Sequence, residues 1–224
     1  TGPVLFDCYK LPNTSTSSHQ PSHLWRIDLG RNIRSGAHYT PFIVFDLDGD
    51  GKAELVVKTA DGTRDGEGCV IGDSTAYWVD KYTGTKDRRI VGRILEGPEY
   101  LTVFEGNTGK ALSTVDYIPP RGNVADWGDD YGNRCDRFLA AVGYFDGKKP
   151  SVVMCRGYYT KTYLAAYDWN GNELKLRWLF DSTKEKGYSG QGNHNLRVAD
   201  VDGDGCDEVI YGSMAVANDG KGPY

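Results

Sequence analysis

Short runs of alternating apolar and polar residues recur along the chain, and they predict β-strands joined by tight turns. One repeated unit is a hairpin: an aromatic-rich strand, a turn with Asn-Gly or Thr-Gly, and a second strand. It occurs at 163–178 and 100–115, and again at 4–28, where a polar insert at 12–23 separates the two strands. This alternation is typical of half-buried antiparallel strands, and the Asn-Gly step favours a two-residue turn.

A second unit precedes a hairpin and consists of a strand, a turn and a very apolar strand, at 42–58, 139–156 and 196–212. Joined in order, the two units make a four-stranded antiparallel sheet, the blade of a β-propeller. The inner strands are apolar on both faces, as expected where a blade lies between neighbours. We therefore interpret residues 1–224 as one partial β-propeller domain of an all-β protein. It holds about three to four blades of a ring that takes about four to eight, so both ends look truncated.

Two copies of one nine-residue pattern form the turns of this second unit. Residues 46–54 read Asp-Leu-Asp-Gly-Asp-Gly-Lys-Ala-Glu, and residues 200–208 read Asp-Val-Asp-Gly-Asp-Gly-Cys-Asp-Glu. Carboxylates at positions 1, 3, 5 and 9 offer only oxygen donors, which suits calcium, a hard cation with roughly six to eight oxygen ligands. The alternative is an ordinary turn, but two matching copies favour a structural calcium ion in each. The residues assigned to these loops are Asp46, Asp48, Asp50, Lys52, Glu54, Asp200, Asp202, Asp204, Cys206 and Glu208.

Three other segments bear on metal binding. The middle copy of the unit carries Asp-Gly-Lys-Lys at 146–149 in place of the loop, so we expect it to have lost its metal. The long loop 61–98 begins with three acidic residues and holds either a further ion or none. The long loop 118–137 crowds several carboxylates together, and it either binds a cation or is a solvated acidic loop.

Composition narrows the function classes. The net charge is −5 and the basic residues are scattered, which argues against nucleic-acid binding. No apolar run approaches the ~20 residues that cross a membrane. The five cysteines include no Cys-x-x-Cys pair, so a zinc site has little support. Calcium sites of this kind imply a secreted protein, and we expect it to be a monomer.

Several short sequence segments, taken in their order along the chain, are distinctive enough to indicate a family. They lie at 25–30, 35–40, 46–51, 58–63, 97–104, 126–134, 156–159, 190–196 and 212–216. Together they resemble the rhamnogalacturonan lyases of polysaccharide lyase family eleven, over essentially the whole chain with inserts near 12–23 and 76–93. The resemblance implies a secreted, calcium-rich, eight-bladed propeller, of which about half is present here. It would cleave the rhamnogalacturonan I backbone of pectin by calcium-dependent β-elimination at galacturonosyl residues.

The resemblance assigns few site residues. It implies that His194 is a calcium ligand near the substrate cleft; a buried histidine hydrogen-bonded inside the propeller is the alternative. It identifies no catalytic residue, and most of the family's substrate-binding residues fall outside 1–224.

Position in the fold adds a further hypothesis. Polar residues that end the inner strands should face the central channel, which makes Lys58, Asp61, Arg156 and Tyr158 candidate substrate contacts. For Lys58 and Arg156 the alternative is an ion pair between neighbouring blades.

Two other functions compete with the lyase. A non-catalytic binding or adhesion propeller would use the same Asp-rich loops as structural staples. A glycoside hydrolase would need a separate pair of carboxylates, and calcium binding already accounts for the acidic residues. The strings outside the metal loops favour the lyase. Endo or exo action and the identity of the catalytic base stay open.

Overall fold

The computed structural model describes residues 2–12, 20–80 and 88–222, with the side chain of residue 88 left out. These residues are almost entirely β-structure, with two short 3-10 helices at Arg88–Ile90 and Val124–Trp127. Within these residues, no helix is long and apolar enough to cross a bilayer. The strands are β1 (Leu5–Lys10), β2 (Ser22–Asp28), β3 (Phe42–Phe45), β4 (Glu54–Thr59), β5 (Thr63–Arg64), β6 (Val70–Ile71), β7 (Tyr100–Glu105), β8 (Ala111–Asp116), β9 (Phe138–Gly143), β10 (Ser151–Arg156), β11 (Tyr163–Trp169), β12 (Leu174–Asp181), β13 (Leu196–Ala199), β14 (Glu208–Tyr211) and β15 (Met214–Val216).

The strands form four antiparallel sheets, so the all-β prediction is confirmed. The second sheet, in the order β3-β4-β7-β8, and the third, β9-β10-β11-β12, each join a strand-turn-strand unit to the following hairpin, as the repeats predicted. The fourth sheet has three strands, β13-β14-β15. The predicted repeat is therefore the structural repeat.

The first sheet departs from the prediction. The opening hairpin β1-β2 is extended by β5 and β6, which lie at the start of the segment predicted to be a long loop. These two strands have only two residues each, too few for an alternating pattern to show. The Asp65 carboxylate closes their turn by accepting hydrogen bonds from the amides of Glu67 and Cys69. Most of the polar insert of the opening hairpin lies outside the described residues.

The second strands of the second and third sheets, β4 and β10, are buried on both faces, because each of these sheets has a neighbour on either side. All six residues of β4 and all six of β10 are buried. Along β10, Val152 and Met154 pack into a core shared with the second sheet, whereas Val153 and Cys155 pack into a core shared with the fourth. Successive side chains of a strand point to opposite faces, so one strand serves two cores.

The sheets stack side by side in chain order. A separate apolar cluster lies between each consecutive pair of sheets. The first strands of the second, third and fourth sheets, β3, β9 and β13, are neighbours, and so are the outer strands β8 and β12. This arrangement places the turns that join β3 to β4, β9 to β10 and β13 to β14 at the same end of their sheets.

Removing a side chain from one of these shared cores should destabilise the stack. Leu101 in β7 is fully buried between the second and third sheets. We expect Leu101→Ala to lower the free energy of unfolding by about 2–5 kcal/mol, because it leaves a cavity. Leu112→Ala in the neighbouring strand is the matched control, since Leu112 is 40% exposed, and it should cost less than about 1 kcal/mol. Urea unfolding followed by tryptophan fluorescence measures both; equal losses would contradict the packing described here.

Candidate metal loops and a buried ion-pair network

The backbone of the first predicted metal loop turns so that three carboxylates converge. One oxygen from each of Asp46, Asp48 and Asp50 lies within 4.8 Å of the other two. Gly49 and Gly51 have φ values of 83° and 87°, a left-handed conformation that strains any residue with a Cβ. The two glycines therefore let a short loop bring alternate side chains to one point.

Main-chain amides hold the carboxylates in place. The two oxygens of Asp46 accept hydrogen bonds from the amides of Gly49 and Gly51, at 2.8 and 2.9 Å. Glu54, at the start of β4, accepts one from the amide of Leu47 at 2.9 Å. Because each carboxylate oxygen has more than one lone pair, these bonds orient the ligands and still leave lone pairs for a cation.

The second loop repeats this geometry. Oxygens of Asp200, Asp202 and Glu208 lie within 4.8 Å of one another. Asp200 accepts hydrogen bonds from the amides of Gly203 and Gly205 at 2.7 and 3.0 Å, matching the bonds made by Asp46. The two loops therefore share the same amide-to-aspartate hydrogen bonds, although the third converging carboxylate is Asp50 in the first loop and Glu208 in the second. Their role as metal sites stays a prediction.

The carboxylates in each loop repel one another, and this repulsion affects the pKa of the glutamate at the ninth position. Burial raises the pKa of Glu54 and of Glu208, and the negative charges of the three aspartates in each loop raise it further. A bound divalent cation would reverse that repulsion. The donors are all oxygen, so the residues present fit calcium.

The seventh position of each loop contributes through its backbone. The amide of Lys52 donates to Asp50 and the amide of Cys206 donates to Asp204, both at 2.7 Å. The ammonium of Lys52 lies 3.6 Å from an oxygen of Asp50, and a cationic group cannot bind a metal ion. The side chain of Lys52 is therefore not a ligand, which corrects its assignment from the sequence.

The turn between β9 and β10 neutralises its carboxylate in another way. Asp146 accepts hydrogen bonds from the amides of Lys148 and Lys149, and the guanidinium of Arg177 pairs with it at 3.1 Å. Ser151 begins β10 where glutamate begins β4 and β14. A protein cation thus balances the charge in this turn. The loss of its metal stays a prediction.

The acidic residues of the two long loops are engaged in hydrogen bonds and ion pairs. Asp61 accepts from the amide of Asp73 and from the indole of Trp78, both at 2.9 Å. Asp129 accepts from three amides of its turn, those of Tyr131, Asn133 and Arg134. Asp136 pairs with Arg34 at 3.2 Å. Across the described ranges, only the two repeated loops gather three or more potential ligands. Both alternatives for the two long loops therefore stay predictions.

A buried carboxylate, Glu99, binds three cations that come from different parts of the fold. Its oxygens lie 3.0 Å from Lys58 Nζ, 2.9 Å from Arg121 Nη2 and 2.6 Å from Arg156 Nη1. Lys58 belongs to the second sheet and Arg156 to the third. Glu99 therefore ties neighbouring sheets together, which is the ion-pair alternative considered for Lys58 and Arg156.

The charges around Glu99 control its ionisation. Burial by itself would raise the pKa of Glu99, but the positive charges of Arg156, Lys58 and Arg121 outweigh it and hold the pKa well below its ordinary value. A carboxylate with a depressed folded-state pKa stabilises the fold above its unfolded pKa of about 4.3, and this stabilisation declines as the pH falls below that value.

The four predicted substrate contacts are all buried. Arg156 has no exposed surface, and Lys58, Asp61 and Tyr158 are at most 6% exposed. The hydroxyl of Tyr158 donates to the carbonyl of Phe138 at 3.0 Å. Burial of this extent does not support direct contact with a polymer, and these side chains instead join strands and sheets.

His194 is exposed, so the buried-histidine alternative is wrong. It lies in a cluster of rings: its Nε2 shares a hydrogen bond with the hydroxyl of Tyr159, and its ring centroid is 5.0 Å from that of His38 and 4.8 Å from that of Tyr158. Burial, then the charges of Arg137 and His194, lower the pKa of His38. Two imidazoles thus lie side by side, well suited to accept a proton or a metal ion.

Glu99 and His38 are the residues that the sequence-based list omitted. His38 lies within one of the quoted strings, at 35–40, and that string was the available signal. Glu99 also lies within a quoted string, at 97–104, but nothing in that string marks it as a partner of buried cations. Its partner Arg156 is 57 residues away, so no local spacing could reveal the pair.

Stacked antiparallel sheets with repeated Asp-rich turns define the class of this chain, an all-β protein built from a repeated sheet unit. The family model for the C-terminal domain of rhamnogalacturonan lyase family 11 matches residues 1–224. The chain belongs to that family, which confirms the resemblance seen in the sequence.

Curated relatives agree with this placement. The chain is 61% identical to the rhamnogalacturonan exolyase YesX and 58% identical to the rhamnogalacturonan endolyase YesW, both of Bacillus subtilis, over 226 residues each. Each match covers all of this chain and 34% of the relative, so the chain spans about a third of their length. One relative is named for exo action and the other for endo action. Identity in this region therefore does not separate the two modes.

Solved structures show the same similarity. The crystal structure of YesX matches with a TM-score of 0.90 and 59% identity, over all of this chain and 35% of that one. The rhamnogalacturonan lyase PL11 of Bacillus licheniformis matches with a TM-score of 0.90 and 58% identity, over all of this chain and 36% of that one. The sheet arrangement described above is therefore that of family members.

Neutralising the carboxylate of Glu99 should destabilise the protein. We expect Glu99→Gln to lower the free energy of unfolding at neutral pH by about 3–5 kcal/mol, because it leaves buried cations without their counter-charge. Glu96→Gln, three positions earlier on the exposed surface, is the control and should change stability by less than about 0.5 kcal/mol. Urea unfolding at neutral pH compares them. A loss for Glu99→Gln no larger than the control's would show that the three ion pairs do not stabilise the fold.

Proposed function

We propose that this protein is a secreted rhamnogalacturonan lyase that cleaves the rhamnogalacturonan I backbone by β-elimination at galacturonosyl residues. The observation that carries the proposal is the family match over all 224 residues, together with 61% and 58% identity to two relatives named as such lyases. A fold alone would not support an activity, but similarity this high over the full chain does.

The chemistry of this reaction sets clear demands. A base removes the proton on C5 of the uronate, a double bond forms between C4 and C5, and the oxygen on C4 leaves with the neighbouring sugar. A calcium ion bound beside the uronate carboxylate would supply positive charge that makes the C5 proton more acidic. Among the described residues, the exposed His194 and its neighbour His38 suit a role at such a site, as a calcium ligand and as a second imidazole beside it. We assign no catalytic base to this chain.

We further infer that the four sheets are blades of an eight-bladed propeller, about half of which lies in this chain. The adjacency of β3, β9 and β13, with a core between each pair of sheets, supports this inference. Successive blades around an axis bring their first strands together in this way.

We also propose that each Asp-rich loop binds calcium as a structural staple. The loops close the turns that lead into β4 and β14, and their side chains lie on turns rather than in a groove. Extracellular calcium levels suit such sites, which fits a secreted protein.

Calcium should stabilise the protein through these two loops. For one site, calcium at about 100 times its Kd would add about 2.7 kcal/mol. We expect Asp46→Asn and Asp200→Asn each to reduce the calcium-induced rise in unfolding temperature. Asp146→Asn, in the turn where Arg177 replaces the metal, should leave that rise unchanged. Scanning calorimetry with calcium and with chelator makes the comparison, and an equal rise in all three variants would exclude these loops as the sites.

The proposed activity has a direct optical readout. We expect the purified full-length protein to release unsaturated uronate from rhamnogalacturonan, seen as growing ultraviolet absorbance. Homogalacturonan, which lacks the rhamnose, is the matched control and should give none. Prior treatment with chelator should abolish the signal and added calcium should restore it. Calcium-dependent binding of the polymer without any product would instead establish a non-catalytic binding module.

A further inference from the structure

The network around Glu99 contains more positive than negative charge. Four cations and two carboxylates are linked by ion pairs within 4.0 Å, which leaves two positive charges in excess. The members are Arg34, Lys58, Arg121 and Arg156 as cations and Glu99 and Asp136 as carboxylates. All but Arg34 are buried, and its side chain is 15% exposed. Uncompensated charge in such surroundings is costly.

Part of this charge has neutral partners. Backbone carbonyls accept from Arg156 and Arg121, and the ring of Phe138 lies under Lys58, with its centroid 4.9 Å from Nζ. Carbonyl dipoles and rings soften the field but carry no net charge. Two donors also stay without a hydrogen-bond acceptor, Nε of Arg121 and Nη2 of Arg156, in residues that are 6% and 0% exposed. Buried donors are normally satisfied, so these call for a partner.

A small cavity lies beside this network, bordered by Arg121 but not by Arg156 or Glu99. Its volume is about 10 Å³, and its lining includes the cations Arg34, Lys58 and Arg121, with Asp136 as the one acidic residue. Such a volume accommodates one particle of about the size of a water molecule. Polyatomic anions such as sulfate or a sugar carboxylate exceed it.

We propose that this cavity binds a single halide ion, with chloride as the natural ligand. A water molecule would satisfy donors, but it would leave both excess charges in place; a halide accepts several hydrogen bonds and removes one of those charges. Lys58 comes from β4 in the second sheet and Arg121 from the segment between β8 and β9, so the ion adds a contact between these two parts of the chain. The site depends on neither the lyase activity nor the Asp-rich loops.

Bromide provides a direct test, because it replaces chloride and scatters anomalously. Crystals of the full-length protein grown in sodium bromide should show an anomalous peak between Nζ of Lys58 and the guanidinium groups of Arg34 and Arg121. The cavity occupied by density of a water molecule, without anomalous signal, would overturn the proposal.

Solution stability gives a second test. At equal ionic strength and equal calcium, the unfolding temperature should be several degrees higher in sodium chloride than in sodium methanesulfonate, whose anion is too large for the cavity. Lys58→Met should abolish this difference, and Lys175→Met, at an exposed position in β12, should keep it. Should Lys58→Met fail to fold, the partly exposed Arg34→Gln replaces it. Equal unfolding temperatures of the parent protein in the two salts would refute the halide site.

Discussion

The rest of the structure depends on the burial of β4 and β10 on both faces. A strand that serves two apolar cores can carry no polar side chain in its middle, so its charged residues fall at its ends. There, Lys58 and Arg156 still lie inside the protein and need a partner. Glu99 supplies it from the segment before β7, and the apolar stacking of the sheets thereby requires a buried ionic network beside it.

The opposite ends of the same strands meet a related electrostatic problem. The turns into β4 and β14 gather carboxylates whose oxygens could hold a cation. The turn into β10 has one such carboxylate and balances it with Arg177. One repeated turn thus has two solutions, an oxygen cradle that fits a metal ion and a protein guanidinium. The first two strands pair in the same antiparallel way in all three sheets, so the pairing does not depend on the sequence of the turn that joins them.

This chain supplies the scaffold of the protein more clearly than it supplies catalytic groups. Among the described residues, His194 and His38 form a partly exposed cluster with Tyr159. Its identity to an exolyase is nearly equal to its identity to an endolyase, so overall identity does not distinguish the two activities. A common framework with variable surroundings is typical of folds that carry several specificities.

Most of the strands and the two Asp-rich loops could be predicted from the sequence, because a short window shows the alternation of a strand or the spacing of the carboxylates. The remaining features depend on contacts between segments that are distant in the chain. The strands β5 and β6 form because they extend the sheet beyond β2. With two residues each, they are too short for a strand pattern to be recognised in the sequence. Arg156 was predicted to face the central channel. It is instead buried and paired with the carboxylate of Glu99, which lies 57 positions earlier in the chain. Charge pairing acts through space, so its partners are fixed only when the sheets have stacked.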